Sequence, residues 1–167
     1  MTTTSHPLLG VVELGAPGFW MADIRYGARD VSIDLTIDGR DVTAAQIETL
    51  VPSVHEIERL DRAARLAILE DARSDPDDDP AAPLYVAHHH SELPSDEYER
   101  LFGTGRCDPA IFASALERLV LVRVGLYPES EDRRVLMDYS IDPDATDYLL
   151  CVGFDSEGRA VAVDLES

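Results

Sequence analysis

The strongest constraint on this chain lies toward its C-terminus, where apolar residues return at every second position in successive runs. Val120, Val122, Val124 and Leu126 form the first run, and Val135, Met137, Tyr139 and Ile141 the second. Tyr148, Leu150, Val152 and Phe154 form the third, and Val161, Val163 and Leu165 the last. A period of two means a strand with one face buried and one wet. Turn-forming stretches separate the runs: Pro128 to Asp132, Asp142 to Thr146, and Asp155 to Gly158, the last with a glycine suited to positive φ. The pattern predicts a four-stranded antiparallel meander with its apolar side on helices. Asp138, Asp147, Asp155, Asp164 and Glu166 then fall on the opposite side or at its corners.

Strand signals also open the chain. Val11, Val12 and Leu14 make a short run closed by Gly15-Ala16-Pro17-Gly18. Phe19 to Tyr26 follows, and Val31, Ile33, Leu35 and Ile37 alternate behind a hairpin turn at Gly27. Between the two strand groups the period becomes helical. Thr43 is placed to cap a helix over Ala44 to Leu50, Pro52 to stop it, and Ser53 to cap a second helix with the stripe Val54, Ile57, Leu60, Ala64 and Ile68. Prolines and aspartates make 74–83 an acidic loop. Helices are then predicted over Leu84 to Leu93, from a cap at Ser95 through Phe102, and over Ala110 to Arg118 behind Asp108 and Pro109. The fold class is therefore α+β in a single domain, residues 1–167: a three-stranded N-terminal segment, central helices, and a C-terminal meander packed on them, with 1–8 flexible.

Charge limits the partners. The chain holds 33 acidic against 14 basic residues, a formal net charge of -19 and a pI near 4.3. Every cation is an arginine, lysine and asparagine are absent, and Gln46 is the single glutamine. A composition bias of the genome or a salt-adapted cytosol gives such a surface. The field repels a phosphate backbone and an anionic bilayer, so nucleic acid and membrane are not expected partners. No leader and no apolar stretch of about 20 residues is visible, and a cytoplasmic location is expected. Cys107 and Cys151 are too far apart in sequence for a short-spaced metal or redox pair and read as free thiols.

Few residues suggest chemistry. His88, His89 and His90 are the natural metal candidates, with Glu92, Glu97 and His55 as further ligands; the set expected to share an ion is His88, His89 and Glu92. Adjacent helical residues diverge by about 100°, so at most two of three neighbours reach one target. The competing reading is a helix with one histidine buried and bonded. Asp75 and Asp77 to Asp79 lack the glycine and terminal glutamate of a calcium loop, and Asp142, Asp144 and Asp147 read as turn chemistry. No nucleophile elbow, phosphate loop or dinucleotide fingerprint occurs. No catalytic residue and no cofactor is assigned. Phe19, Trp20 and Tyr26 form either an aromatic patch for a partner or core anchors, and Tyr127, Tyr139 and Tyr148 read as anchors at the sheet margin.

Leu121-Val-Arg-Val-Gly-Leu-Tyr-Pro-Glu129, Asp138-Tyr-Ser-Ile-Asp142, Thr146-Asp-Tyr-Leu-Leu150, Phe154-Asp155 with Gly158, and the closing Glu166-Ser167 resemble an uncharacterised bacterial family, the domain of unknown function two-thousand-and-four. His88-His89 with Glu92-Leu93 resembles that family's histidine-rich helix. The resemblance runs from Leu84 to Ser167, about half the chain, and brings no catalytic residue with it. It implies a bacterial protein-binding domain, with an immunity or neutralising role as the expected class. Together with the charge, this gives the leading expectation: a non-enzymatic acidic domain that binds a basic protein. The alternative is a metal-binding protein or metal-dependent hydrolase built on His88 to His90. A homodimer through an exposed edge of the meander is a further expected arrangement.

Overall fold

A computed structural model describes residues 2–104 and 109–167, with side chains for all of these except 109–112. Strands β1 (Thr2–His6) and β2 (Gly10–Leu14) form a separate antiparallel hairpin. Strands β3 (Gly18–Tyr26), β4 (Arg29–Ile37), β5 (Val120–Leu126), β6 (Val135–Ser140), β7 (Leu149–Phe154) and β8 (Ala160–Glu166) lie in that order in one sheet. Neighbours are antiparallel except β4 and β5, which run parallel. The crossover between those two carries α1 (Ala44–Glu48), α2 (Val51–His55), α3 (Ile57–Asp71), α4 (Ala81–Glu92), α5 (Ser95–Phe102) and α6 (Pro109–Leu116).

The meander is present, and the fold is α+β. The N-terminal segment differs from the expected three strands: Thr2–His6, within the stretch expected to be loose, pairs with β2, while β3 and β4 join the meander instead of the first hairpin. The short polar Thr2-Thr3-Thr4-Ser5 carries no apolar alternation to announce a strand, and its partner supplies the buried residues Val12 and Leu14. Because β5 is paired to β4, only the β8 side of the meander is a sheet edge.

Local chemistry explains the helix limits. Thr43 and Gln46 form a capping box: Gln46 N–H donates to the Thr43 hydroxyl at 3.3 Å and Thr43 N–H to Gln46 Oε1 at 2.9 Å. Pro52, expected to stop α1, instead sits in the first turn of α2, where its missing N–H costs nothing. The expected long second helix is broken at Glu56, which ends α2 and precedes α3. The acidic loop ends sooner than expected, because α4 starts at Ala81, where Asp71 of α3 accepts from Ala82 N–H at 2.7 Å. Ser95 is the first residue of α5, not its cap, since Pro94 takes that place. Asp108 and Cys107 lie outside the described residues.

One face of the sheet meets the helices. Ile33, Leu35, Val124, Leu126, Met137, Tyr139, Leu150, Val152 and Phe154 are fully buried there, against Ile47, Leu60, Ala64, Ile68 and Tyr85. Each fully buried aliphatic side chain contributes about 1.5–3 kcal/mol. A bulge between Leu121 and Arg123 shifts the phase of β5, so Leu121 rather than Val122 joins Val124 and Leu126 in the core. A second irregularity, at Gly153 and Phe154, leaves Val161 exposed although Val163 and Leu165 keep to the core side. Among the described residues no helix is long and apolar enough to cross a membrane.

Candidate functional site

Alternation sends the other half of each strand to the face turned away from the helices. Register aligns Asp23, Ser32, Arg123, Asp138, Cys151 and Asp164 in one row across all the strands of the sheet. The next row is Met21, Asp34, Gly125, Leu136, Gly153 and Ala162. A polar row therefore runs beside a row of mostly small or apolar residues. At its β3 end, Phe19 and Met21 project outward at 62% and 63% exposure.

Arg123 organises the centre. Its Nε and Nη2 donate to the two oxygens of Asp34 at 2.8 and 2.6 Å, its Nη1 to Asp138 at 2.8 Å, and its Nη2 also to the Tyr127 hydroxyl at 2.7 Å. The forked contact with Asp34 is the geometry a guanidinium alone provides. The Asp34 and Asp138 side chains are 2% and 6% exposed, so both carboxylates depend on this cation. Burial works against the charge on Arg123, and the hydrogen bonds to Asp34, Asp138 and Tyr127 outweigh it, raising its pKa. Gly125 makes the arrangement possible: a Cβ there would fall 2.8 Å from the Tyr127 ring and 2.9 Å from Arg123 Nη2. At Gly153 the stem of Arg133 crosses in the same way to reach Asp164 at 2.7 Å, an ion pair whose angle falls outside hydrogen-bond geometry.

No family model, curated protein or solved structure matches the chain. The chemistry of the face then follows from its own groups. The charge of Arg123 is already met by two carboxylates, and those carboxylates are committed to it. Burial first, and the neighbouring Asp138 charge next, push the Cys151 thiol far above its usual pKa, so no thiolate forms at neutral pH. What the face offers is a fixed surface with polar and apolar parts, suited to recognition. Arg123 and Asp34 were not singled out from sequence. The signal existed: Arg123 is the one charge inside Val120–Leu126, and Asp34 the acid amid an alternating apolar strand.

The histidines fan apart. His89 is 1% exposed; its Nδ1 lies 2.7 Å from Tyr85 O and its Nε2 2.9 Å from the Thr146 hydroxyl. A carbonyl only accepts, so Nδ1 carries the proton and Nε2 accepts from Thr146. Burial lowers the His89 pKa, the bond to Tyr85 opposes that, and the charge of His88 adds to it. His88 stacks on Tyr148 at 4.8 Å between centroids, and His90 meets Tyr98 edge-on at 4.9 Å. Glu92 is exposed. Among the described residues no three His, Cys, Asp or Glu side chains are grouped to hold a metal ion. The expected set of His88, His89 and Glu92 is therefore not brought together, because both His89 nitrogens are occupied and successive side chains diverge.

The remaining candidates resolve locally. Asp75 Oδ1 accepts from Asp77 N–H at 3.0 Å and Asp142 Oδ1 from Asp144 N–H at 3.1 Å, so both acidic stretches hold turns. Trp20 and Tyr26 turn to the core and Phe19 away from it, which splits the aromatic trio between two faces. His6 was not anticipated as a buried group. Leu8 and Leu9 N–H donate to its Nδ1, both at 3.3 Å, leaving the proton on Nε2, which is buried without a hydrogen-bond partner among the described residues.

Proposed function

We propose that this chain is a non-enzymatic binding module that docks a basic protein on the sheet face bearing Arg123. The observation that carries the reading is the position of Phe19 and Met21: two large apolar side chains more than three-fifths exposed, side by side on an edge strand, bordering a polar row. Apolar anchors surrounded by polar groups are the usual composition of a protein interface. The ion network beside them is already paired in the free chain, which lowers the ordering cost of association. The net charge of -19 favours a cationic partner, with encounter faster by about ten- to a thousandfold at low salt. An immunity or neutralising role toward a basic toxin, in the cytoplasm of a bacterium, is the form of this function that the family resemblance suggests.

The test is affinity capture at low and physiological salt with wild type and with the pair Phe19→Ser and Met21→Ser. A basic protein retained by the wild type and lost by the double variant supports the reading, as does hydrogen-exchange protection of β3 to β5 on binding. A partner that binds the double variant equally well, or protection confined to the helices, overturns it. Concentration-dependent sedimentation of the chain alone would assign the face to a second copy instead.

A further inference from the structure

On the helix side of the sheet a cleft of about 510 Å³ opens between the β3–β4 turn, α3 and the start of β5. That volume is in the range of small-molecule sites. Its floor is a saturated cluster. Asp61 accepts from the hydroxyls of Tyr139 at 2.8 Å and Tyr26 at 3.1 Å, and from Arg65 Nε at 3.1 and 3.2 Å. The terminal nitrogens of Arg65 donate to the carbonyls of Leu116 and Leu119 at 2.9 and 3.0 Å. Asp61 and Arg65 thus cancel each other and hold α3 to β6 and to the approach of β5.

The walls differ from the floor. Arg29, at the hairpin turn, and Arg62, on α3, both line the cleft, are exposed, and have no partner among the described residues. Elsewhere Arg25, Arg59, Arg100, Arg123, Arg133 and Arg159 each hold a carboxylate. In a chain where acids outnumber bases by more than two to one, two unneutralised guanidiniums facing one cavity leave a local cationic site. Glu58, four residues before Arg62, also lines the cleft and is free to turn toward Arg62 when no anion is bound. Ala28 and Leu119 to Leu121 supply apolar wall.

We propose that this cleft binds a small organic oxyanion, its phosphate or carboxylate head held by Arg29 and Arg62 and its apolar body against Leu119 to Leu121. The site is separate from the docking face, so each can fail without the other. Calorimetry of the full chain at low ionic strength with phenyl phosphate, benzoate and inorganic phosphate tests it. Saturable binding is expected for at least one aromatic anion, and which one binds tells phosphate from carboxylate. The double variant Arg29→Ala with Arg62→Ala weakens that binding by about tenfold or more, the loss expected for charged hydrogen bonds. Glu58→Gln strengthens it, and inorganic phosphate, lacking the body, binds more weakly than phenyl phosphate. Both arginines are exposed and unpartnered, so the variants keep the wild-type melting temperature. Absence of saturable binding by both aromatic anions, or an affinity unchanged in the double arginine variant, overturns the proposal.

Discussion

The two faces of the sheet are made by the same strands yet are buried by different means. Toward the helices, Ile33, Val124, Leu126 and Val152 are closed off by apolar contact alone. On the other side Asp34, Asp138 and Cys151 are nearly as inaccessible, but Asp34 and Asp138 are held by one guanidinium lying across a glycine gap. An apolar core loses stability in proportion to the volume removed, whereas an ion network fails when any one charge loses its partner. The first face is therefore tolerant of conservative change, and the second is brittle.

The comparison can be broken in order of effect. Val152→Asp places an unpaired charge in the apolar face and costs about 5 kcal/mol or more in urea unfolding, enough to prevent folding. Arg123→Met leaves two buried carboxylates unpaired and costs about 3 kcal/mol, the low end for such a loss because the arginine is one-third exposed. Adding Asp34→Leu and Asp138→Leu to that variant is expected to restore most of the stability, since an apolar triad replaces the charges together; no recovery would mean that the network stabilises more than it costs.

Acid titration gives a smaller effect. The folded-state pKa of His89 lies below its unfolded value, so its contribution is complete above about pH 6.5 and is lost as the pH falls below that, where the unfolded chain takes up the proton. His6, lowered by burial and then by His55, acts in the same direction. Between pH 7 and 5.5 the wild type should therefore lose stability more steeply than His89→Gln, and parallel slopes would contradict the protonation state assigned to His89. Asp164→Ala, which removes a half-exposed ion pair to Arg133, should cost about 0.5 kcal/mol or less. A cost equal to that of Val152→Asp would place Asp164 on the wrong face.

Legibility followed range. The strands of the meander and the cap at Thr43 rest on residues a few positions apart, and their patterns were readable, whereas the reciprocal bond from Gln46 that completes a capping box came only with the structure. The phase slip at Val122 was not, because a bulge inserts a residue without altering the composition of the run. The parallel pairing of β4 with β5 was equally silent, since nothing in either strand names its neighbour. At the candidate face, Asp138 was placed correctly on the outer side, but its burial depended on Arg123, on Asp34 from a distant strand, and on the space over Gly125. The histidine run drew attention by composition, and its fate was decided by Thr146, Tyr148 and Tyr98, none of them adjacent in sequence.

The parallel seam also bears on how the molecule comes apart. Every other junction in the sheet joins strands that follow one another directly, and such hairpins close quickly. The junction of β4 and β5 waits until the whole helical stretch has been laid down, and only four residue pairs, from Ser32 with Arg123 to Leu35 with Leu126, hold it. Arg123 reaches across that junction to Asp34 while gripping Asp138 on its own side, and so acts as a rivet at the shortest join. Loosening the rivet would let the sheet part as a strand pair and a meander, and amide hydrogens along the seam would exchange through that opening before the rest of the sheet.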